Sequence, residues 1–435
     1  MESNSRNNRL TSRLDPVNLV RNFISGRSLA KEEYKIIIQS ALEGKLPDAA
    51  LTAFVVYQYI KRIPIEEVAK ITEAIVETGK TIDFGPMTVD KHSIGGVPGN
   101  KVSLIIVPII ASTGLKIPKT SSRSITTIGT ADTFEVLAPV DLTLEEVKEV
   151  VNKTNGCLVW NGMLGIAPAD ELFISKVQSI LRIDPVTQAV ASIMANKVAM
   201  GARFLVIDIP QGHGTKAVTI KQATELGRMF VELGYKLGIN VEAAITYGEQ
   251  PVGHAVGPAL EAKEALQTLE GEIPSTSLIE KSTGLAGILL EMTGRAPPGQ
   301  GQQIAKTILS SGKALKKMKQ IIEAQGGDPN IKSLDIPLGS YTAEIKSNVN
   351  GYVASIDNRA IMEIVRAAGA PEDKGAGVII PKKGGRYVKE GEVIMKIYSN
   401  SEYKLDEALN LAQNLQPIVI EGMIRRRIHH LQVIS

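Results

Sequence analysis

The sequence has little of what stabilises secreted or metal-binding proteins. Its 435 residues include one cysteine, Cys157, and five histidines. A single cysteine cannot form an internal disulfide, and no group of these residues has the spacing of metal ligands. We therefore predict no metal site and a cytoplasmic location.

Long apolar runs and excess charge of one sign are also scarce. The longest apolar run, residues 102–111, is too short to span a membrane and contains Ser103 and Pro108. A formal net charge of +3 is too small to favour nucleic acid or an anionic membrane as a partner. Residues 1–12 are polar and lack the apolar centre of a signal peptide, so we expect a frayed tail.

Hydrolase and zinc-enzyme motifs do not occur in this chain. It contains no GxSxG, HExxH or CxxC pattern. The chain is also too long for one ordinary core, which predicts two or three packed units.

Three kinds of sequence pattern along the chain predict a multidomain fold of the α/β and α+β classes. Residues 1–81 carry amphipathic helical stretches and predict a small helical lobe, which 170–200 are expected to join. Strand-like runs that alternate with helices in 82–169 and 201–335 predict a large α/β sheet lobe. Residues 340–435 are rich in β-formers broken by glycine and predict a C-terminal β-rich domain resembling a barrel-sandwich.

The first chemical motif is a glycine-rich turn between a short strand and an apolar helix. It reads DKHSIGGVPGNK from Asp90 to Lys101. Such a turn aims backbone N–H groups at one point, and Lys91 and Ser93 add a cation and a hydroxyl, which favours phosphate binding. The pattern matches neither GxxxxGK[ST] nor GxGxxG, so triphosphate and dinucleotide binding have little support. An ordinary tight turn is the competing interpretation.

Three further segments supply polar groups for a ligand. Residues 119–132, KTSSRSITTIGTAD, offer many hydroxyls and Arg123 to anionic oxygens, although a solvated loop has the same composition. Asp184-Pro185 precedes a predicted helix that contains Ser192 and Asn196, and Asp184 is equally suited to an N-cap. Lys216 follows a strand in QGHGTK, at a strand end where α/β proteins bind ligands.

Together these segments resemble the thymidine/pyrimidine nucleoside phosphorylase family, most closely its AMP phosphorylase branch. The resemblance extends over nearly all of residues 16–425, through VDKHSIGGVPGNK, KTSSRSIT, GTADTFEVL, CLVWNGMLGIAPAD, ASIMANKVAMGA and TYGEQPVGHAVGPALEAKEAL. It implies phosphorolysis of an N-glycosidic bond, with the active site in the cleft between the helical lobe and the α/β lobe. It also implies a homodimer, and inorganic phosphate as a co-substrate with no other cofactor.

The resemblance also implies site residues. Phosphate is expected at Lys91, Ser93, Gly95, Gly96, Ser103, Ser121 and Thr130. The nucleotide is expected at Gly96, Ser122, Arg123, Ser124, Ile125, Thr126, Thr127, Thr130, Ser192, Asn196 and Lys216. Asp184 matches the proton donor of the branch, and His92 is the alternative donor.

Three departures from the family pattern affect these expectations. The stretch 126–130 is one residue shorter than in relatives, which leaves the alignment around Thr127 open. Asn196 replaces a lysine that usually contacts the base, so base preference is expected to differ. The sequence does not include the additional N-terminal domain common in the AMP phosphorylase branch, and we expect a smaller assembly.

Physical chemistry sets the requirements for such a reaction. Phosphate must be desolvated and aimed at C1′, and the departing base must be protonated or its developing charge neutralised. A purine calls for a neutral acid, so Asp184 would need a pKa raised by burial. A nucleoside 5′-monophosphate such as AMP, CMP or UMP also needs a second anion site, for which Ser122 to Thr127 and Lys216 are candidates.

Three alternatives remain beside a nucleotide phosphorylase. A pyrimidine nucleoside phosphorylase would need no second anion site. A phosphoribosyltransferase would need acidic residues that hold magnesium and pyrophosphate. A carrier protein modified at Lys396 would present that lysine at a hairpin turn, whereas Lys396 lies inside the predicted strand VIMKIYS.

Overall fold

A computed structural model describes residues 15–123, 127–183, 185–272 and 275–424. The predicted frayed tail, Ser124, Ile125, Thr126 and Asp184 lie outside these ranges. None of the helices in the described ranges combines the length and the apolar composition that crossing a membrane requires.

The helical lobe begins with four amphipathic helices. They are α1 (Pro16–Ile24), α2 (Lys31–Leu42), α3 (Asp48–Ile60) and α4 (Ile65–Glu77). Asp15 caps α1 by accepting a hydrogen bond from Val17 N, and Pro16 occupies the first turn, where a missing N–H costs nothing. Phe23 packs against Tyr34 and Phe54, with ring centroids 5.6 and 5.1 Å apart, and this aromatic cluster forms the centre of the lobe.

The helical lobe is completed by segments from later in the chain. These are α8 (Pro168–Phe173), a π-helical turn (Ile174–Gln178), α9 (Ser179–Leu181) and α10 (Val186–Ala199). Phe173 joins the aromatic cluster through Phe54, at a centroid distance of 6.0 Å. Met194 and Ala195 of α10 are buried in the same apolar core.

The α/β lobe is built on parallel strands. They are β1 (Val89–Ser93), β2 (Ile117–Ser121), β3 (Gly156–Trp160), β4 (Phe204–Gln211) and β5 (Asn240–Tyr247). Strand β4 lies between β1 and β5, and β2 pairs with β3. A parallel bridge between Thr88 and Lys116 places β1 beside β2. Ser93 and Ser121 each follow that bridge by five residues, so the two strands end at the same edge of the sheet.

Helices cover this sheet and bury its apolar residues. They are α5 (Ser103–Ala111), α6 (Thr130–Phe134), α7 (Leu144–Thr154), α11 (Ile220–Leu237), α12 (Pro258–Leu269), α13 (Thr276–Met292), α14 (Gly301–Ser310) and α15 (Lys313–Ala324). Every residue of α5 is buried, as expected for the apolar run that follows the glycine-rich turn.

The C-terminal domain is rich in antiparallel strands. Its elements are β7 (Tyr341–Lys346), β8 (Gly351–Ile356), α16 (Asn358–Ala367), β9 (Gly377–Ile379), β10 (Tyr387–Val388), β11 (Val393–Ser399), α17 (Glu402–Leu415) and β12 (Ile418–Glu421). A short strand of the α/β lobe, β6 (Ala255–Val256), pairs with β9 and extends the sheet β9-β11-β7 across the domain boundary. The predicted fold class, with a helical lobe, an α/β lobe and a strand-rich C-terminal domain, is confirmed.

Candidate active site

The glycine-rich turn connects the end of β1 to the start of α5. Gly95, Gly96 and Gly99 have φ angles of +83°, +88° and +69°, which favour glycine. A Cβ on Gly96 would lie 3.0 Å from Lys216 N, so only a residue without a side chain lets the turn that carries Lys216 approach this closely. The structure thus brings together two predicted site segments that are more than a hundred residues apart in the chain.

A buried aspartate lies directly beneath this turn. Asp208, opposite Ser93 in the β1–β4 register, is fully buried and lies 3.7 Å from Lys91 Nζ and 3.0 Å from Lys281 Nζ. Burial opposes its ionisation, but the two ammonium groups outweigh that effect and hold the pKa of Asp208 well below its usual range. Burial lowers the pKa of Lys91 to about 8, and Asp208 offsets part of that shift.

Asn100 connects Asp208 to the first predicted hydroxyl. Its amide nitrogen donates to Ser93 Oγ at 2.9 Å and to Asp208 Oδ2 at 3.2 Å. Thr246 Oγ1 also donates to Asp208, at 2.6 Å. These bonds fix the orientation of Ser93 and Asp208 before any ligand arrives.

A second buried charge pair joins the helical lobe to the sheet. Lys197 Nζ of α10 lies 2.7 Å from Asp90 Oδ2 on β1 and 3.3 Å from Thr120 Oγ1 on β2. Lys119, beside Thr120, is also buried and donates to the Thr120 carbonyl. Burial and the neighbouring charge of Lys197 lower the pKa of Lys119 to about 7.

Positive charge exceeds negative charge at this edge of the sheet. Among the described residues, the buried or nearly buried charged side chains here are Lys91, Lys119, Lys197, Lys281, Asp90 and Asp208. Lysines therefore outnumber aspartates by two. Lys91 and Lys281 share Asp208, Lys197 pairs with Asp90, and Lys119 has no ion pair among the described residues. An arrangement of this kind is suited to an anion with two negative charges.

His92 lies within the same field. Its Nδ1 atom is buried and has no hydrogen-bond partner among the described residues. Burial, then the charges of Lys197, Lys119, Lys91 and Lys216, lower the pKa of His92 well below its ordinary value. The imidazole is therefore neutral at neutral pH, and it can donate a hydrogen bond through one ring nitrogen.

Arg123, a predicted nucleotide ligand, lies among carboxylates. Its guanidinium nitrogens are 2.8 Å from Glu135, 3.1 Å from Asp141 and 3.4 Å from Asp132. It also stacks on Trp160, 4.9 Å from the ring centroid. The hydrogen bond to Glu135 is the largest contribution to a pKa of Arg123 raised above its ordinary value. The guanidinium thus anchors the segment after β2 to α6 and β3.

Three further residues predicted to bind phosphate lie at the ends of secondary-structure elements. Ser121 ends β2, and its hydroxyl donates to the Ser122 carbonyl at 3.0 Å. Thr130 is the first residue of α6, and Ser103 is the first residue of α5. Ser103 is buried at the start of its helix, beyond the glycine-rich turn.

Helix α10 presents a row of polar side chains. Gln188, Ser192 and Asn196 are four residues apart and therefore share one face of the helix. Asn196 Nδ2 donates to the Ser192 carbonyl at 3.0 Å, while Asn196 Oδ1 and both amide atoms of Gln188 are buried without partners in the described part of the chain. Such groups are suited to a ligand with several hydrogen-bonding atoms.

Asp170 of α8 lies beside this row. Burial raises the pKa of its carboxyl to about 6, and a hydrogen bond with Ser192 opposes the shift. Asp184 precedes α10 in sequence but lies outside the described residues.

Several site residues were not predicted from the sequence. They are Lys119, Lys197, Lys281, Asp90, Asp208, Asp170, Asn100 and Gln188. Asp208 had a detectable signal, because a carboxylate in the apolar strand FLVIDIP must find a cation when it is buried. Lys281 had no comparable signal, since its partner lies on a distant strand.

Comparison with known proteins agrees with this architecture. Residues 17–79 match the helical bundle domain and residues 85–315 the a/b domain of the glycosyl transferase family, and 352–419 match the pyrimidine nucleoside phosphorylase C-terminal domain. AMP phosphorylase of Methanosarcina mazei is 53% identical over 412 residues, which are 94% of this chain and 81% of that protein. AMP phosphorylase of Thermococcus kodakarensis is 51% identical over 419 residues, or 96% and 83% of the two chains.

A solved structure shares the fold at lower identity. Anthranilate phosphoribosyltransferase from Thermus thermophilus superposes with a TM-score of 0.59 at 17% identity. The superposition covers 71% of this chain and 99% of that one.

Proposed function

The chain belongs to the glycosyl transferase family that includes the AMP phosphorylases, and on this basis we propose that it cleaves AMP with inorganic phosphate. The products are adenine and ribose 1,5-bisphosphate. The structural observation that carries the proposal is the excess of buried lysine over aspartate beside the glycine-rich turn. Relatives at about half identity over most of the chain, all named AMP phosphorylase, support a nucleotide rather than a nucleoside as substrate.

Phosphate binds next to the glycine-rich turn. Lys91, Lys119 and Ser93 supply two ammonium groups and a hydroxyl, and Gly95, where an added Cβ would meet nothing within 4 Å, leaves room for an anion to approach the backbone. Removing phosphate from water is costly, and the unbalanced positive charge offsets that cost. The bound dianion also raises the pKa of Lys119 and so keeps its ammonium charged.

A phosphate oxygen then attacks C1′ of the ribose as the bond from C1′ to the base nitrogen breaks. The bonding electrons leave with the base, and a proton reaches a ring nitrogen so that the base departs neutral. We propose Asp184 as the donor. His92 is the alternative, but burial and four lysines hold its pKa low, so its neutral imidazole would stabilise the departing base by donating a hydrogen bond, without transferring the proton.

The base is expected along the polar row of α10. Gln188, Ser192 and Asn196 offer amide and hydroxyl groups, and Asp170 holds Ser192 in place. CMP and UMP are further candidate substrates, since amide groups can turn either a donor or an acceptor toward a base.

The 5′-phosphate of the nucleotide is assigned to Ser122, Thr127, Thr130 and Lys216. Arg123 is engaged by three carboxylates, so we propose that it shapes the segment around this phosphate without binding it.

The proposal extends to assembly and location. We expect a homodimer in the cytoplasm that needs no cofactor besides phosphate. The buried free thiol of Cys157 supports a reducing compartment. Light scattering of the purified protein measures the assembly, and a monomer at assay concentrations would contradict it.

Release of free base from AMP, CMP and UMP, with and without phosphate, tests the activity. Adenosine, cytidine, uridine and thymidine serve as matched substrates that lack the 5′-phosphate. Phosphate-dependent turnover of AMP with no turnover of adenosine is the expected result. Turnover of the nucleosides alone would contradict the proposal.

A further inference from the structure

The ammonium group of Lys101, at the end of the glycine-rich turn, lies in a buried cage of oxygen atoms. It donates to the carbonyl oxygens of Val252 and Ala255, at 3.0 and 2.9 Å, and to Glu264 Oε2 at 2.6 Å. All three donors of the ammonium are thereby used, and the lysine side chain is fully buried. Glu264 also accepts hydrogen bonds from the N–H groups of His254 and Ala255, at 2.8 and 3.0 Å.

Two glycines shape this cage. A Cβ on Gly99 would lie 2.6 Å from the Val252 carbonyl oxygen and 2.8 Å from that of Ala255. A Cβ on Gly253 would lie 2.6 Å from Glu264 Oε2 and 2.8 Å from Lys101 Nζ. The cage oxygens therefore approach the ammonium only because neither position carries a side chain.

The cage connects the glycine-rich turn to the turn 250–255. The carbonyl of Pro98, two residues beyond Gly96, accepts a hydrogen bond from Val252 N at 2.9 Å. On the opposite side, Lys383 of the C-terminal domain donates to the carbonyls of Pro251 and Gly253, at 2.6 and 2.7 Å. The Lys101 ammonium thus lies between the glycine-rich turn, which is expected to bind phosphate, and the turn 250–255, which Lys383 contacts from the other side.

Backbone carbonyls and a carboxylate are the ligands that hard cations take in proteins. Here a covalently attached ammonium occupies the position of such a cation. Nearby Glu261 is also buried, and its pKa is raised to about 7 by burial, which the Lys101 charge partly opposes. The Lys101 charge therefore favours the ionised form of two buried carboxyl groups, Glu261 and Glu264.

We propose that the Lys101 ammonium acts as a tethered monovalent cation, a positioning group that holds the glycine-rich turn in its phosphate-binding form without a free ion. The inference rests on the proposed function, because that function defines the turn as the phosphate site. Truncation of the side chain would leave a cavity lined by oxygens, into which a potassium or ammonium ion can bind.

Lys101→Ala tests the inference in buffers whose only monovalent cation is potassium, ammonium or tetramethylammonium. In tetramethylammonium we expect the KM for phosphate to rise by about tenfold or more, with a smaller change in kcat. Potassium or ammonium should restore the KM in a saturable manner, since these ions fit the cavity and tetramethylammonium does not.

Two matched variants separate this effect from ionic strength. Lys101→Met fills the space with an apolar chain of similar length, and its defect should not respond to any of the three cations. Lys70→Ala removes an ammonium on the helical lobe that also binds a carbonyl and a carboxylate, Leu29 O at 2.9 Å and Glu67 Oε1 at 2.8 Å. Its phosphate KM should match that of the wild type in every buffer.

The wild-type enzyme supplies a test that does not depend on a variant that folds. Its activity should be the same in all three buffers, and strong activation by potassium would overturn the inference. A folded Lys101→Ala variant whose defect is identical in the three cations would also overturn it.

Calorimetric titration with inorganic phosphate separates this inference from the proposed activity. Cation-dependent phosphate binding by Lys101→Ala, in an enzyme that does not cleave AMP, would support the cage and refute the proposed function. If the wild-type enzyme cleaves AMP but phosphate binding by Lys101→Ala does not depend on the cation, the proposed function is supported and the cage is refuted.

Discussion

Lys197 Nζ lies 2.7 Å from Asp90 Oδ2, and both side chains are 1% exposed. This contact joins α10, a helix that packs in the helical lobe, to strand β1, whose C-terminal end carries Lys91 and His92. This buried ion pair therefore helps to fix the position of the polar row on α10 relative to the glycine-rich turn. Breaking this ion pair should therefore change the position of α10 relative to strand β1.

Lys197→Met should impair catalysis as well as folding. It leaves Asp90 buried without its cation and lets α10 shift, so we expect kcat/KM to fall by about a hundredfold. Steady-state kinetics with AMP and phosphate measures the loss. Lys236→Met is the control, because the exposed pair of Lys236 and Glu66, at 2.9 Å, contributes little. An unchanged kcat/KM in Lys197→Met would contradict a positioning role.

Phosphate affinity should weaken as the pH rises. Lys119 and Lys91 have pKa values lowered to about 7 and about 8, so the free enzyme loses positive charge through this range. The KM for phosphate should therefore increase above pH 7, where phosphate itself is mainly a dianion. In Lys119→Met the KM should be higher at pH 7 and should change less with pH. Equal pH profiles for the two proteins would show that Lys119 does not bind phosphate.

His92 should make the protein less stable in acid. The pKa of a histidine in an unfolded chain is about 6.5, whereas that of His92 in the fold is well below it. The unfolded state consequently takes up a proton first, and stability is lost as the pH falls from about 6.5 toward the lower folded value. His92→Gln removes this loss. Denaturant titrations at pH 7.5 and 5.5 should show a smaller decrease in unfolding free energy for the variant, and a decrease as large as that of the wild type would contradict it.

Asp170→Asn should stabilise the protein and reduce its activity. The carboxyl pKa of Asp170 is raised to about 6, so ionising it in the fold costs free energy at every pH above its unfolded value near 4. Removing that cost should raise the unfolding free energy at pH 7 by about 2 kcal/mol, allowing for partial exposure. The KM for AMP should rise, because the amide holds Ser192 less firmly. A destabilised variant would show that Asp170 is instead a structural anion.

Two substitutions distinguish whether Arg123 shapes the segment after β2 or binds the 5′-phosphate. If Arg123 shapes the segment after β2, then Arg123→Ala and Glu135→Gln should each raise the KM for AMP, because both disrupt the same contact. If Arg123 binds the 5′-phosphate, Glu135→Gln should lower that KM by releasing the guanidinium. Kinetics with AMP at saturating phosphate distinguishes the two outcomes.

Local patterns predicted the fold and part of the site. Amphipathic periodicity marked the helices of residues 16–79, and the apolar run 102–111 marked the buried helix α5. Glycine at positions 95, 96 and 99 indicated a turn with positive φ, which the structure has. The sequence motifs indicated the resemblance to the nucleoside phosphorylase family, and the comparisons confirm that resemblance.

The charge network could not be predicted in the same way. Asp208 binds Lys91 and Lys281, which lie on a neighbouring strand and on a distant helix, and no local spacing connects the three. Lys119 resembled an ordinary member of a polar loop until its burial was visible. Partners of this kind are chosen by the packing of strands and helices, so they appear only when the tertiary structure is known.

The pairing of β6 with β9 has a consequence for how the protein unfolds. Because a strand of the α/β lobe is part of the C-terminal sheet, neither unit can melt without removing hydrogen-bond partners from the other. The bonds of Lys383 to Pro251 and Gly253 add to this dependence. The α/β lobe and the C-terminal domain should thus behave as one cooperative unit in calorimetry. A C-terminal domain transferred to another protein should need strand β6 to complete its sheet.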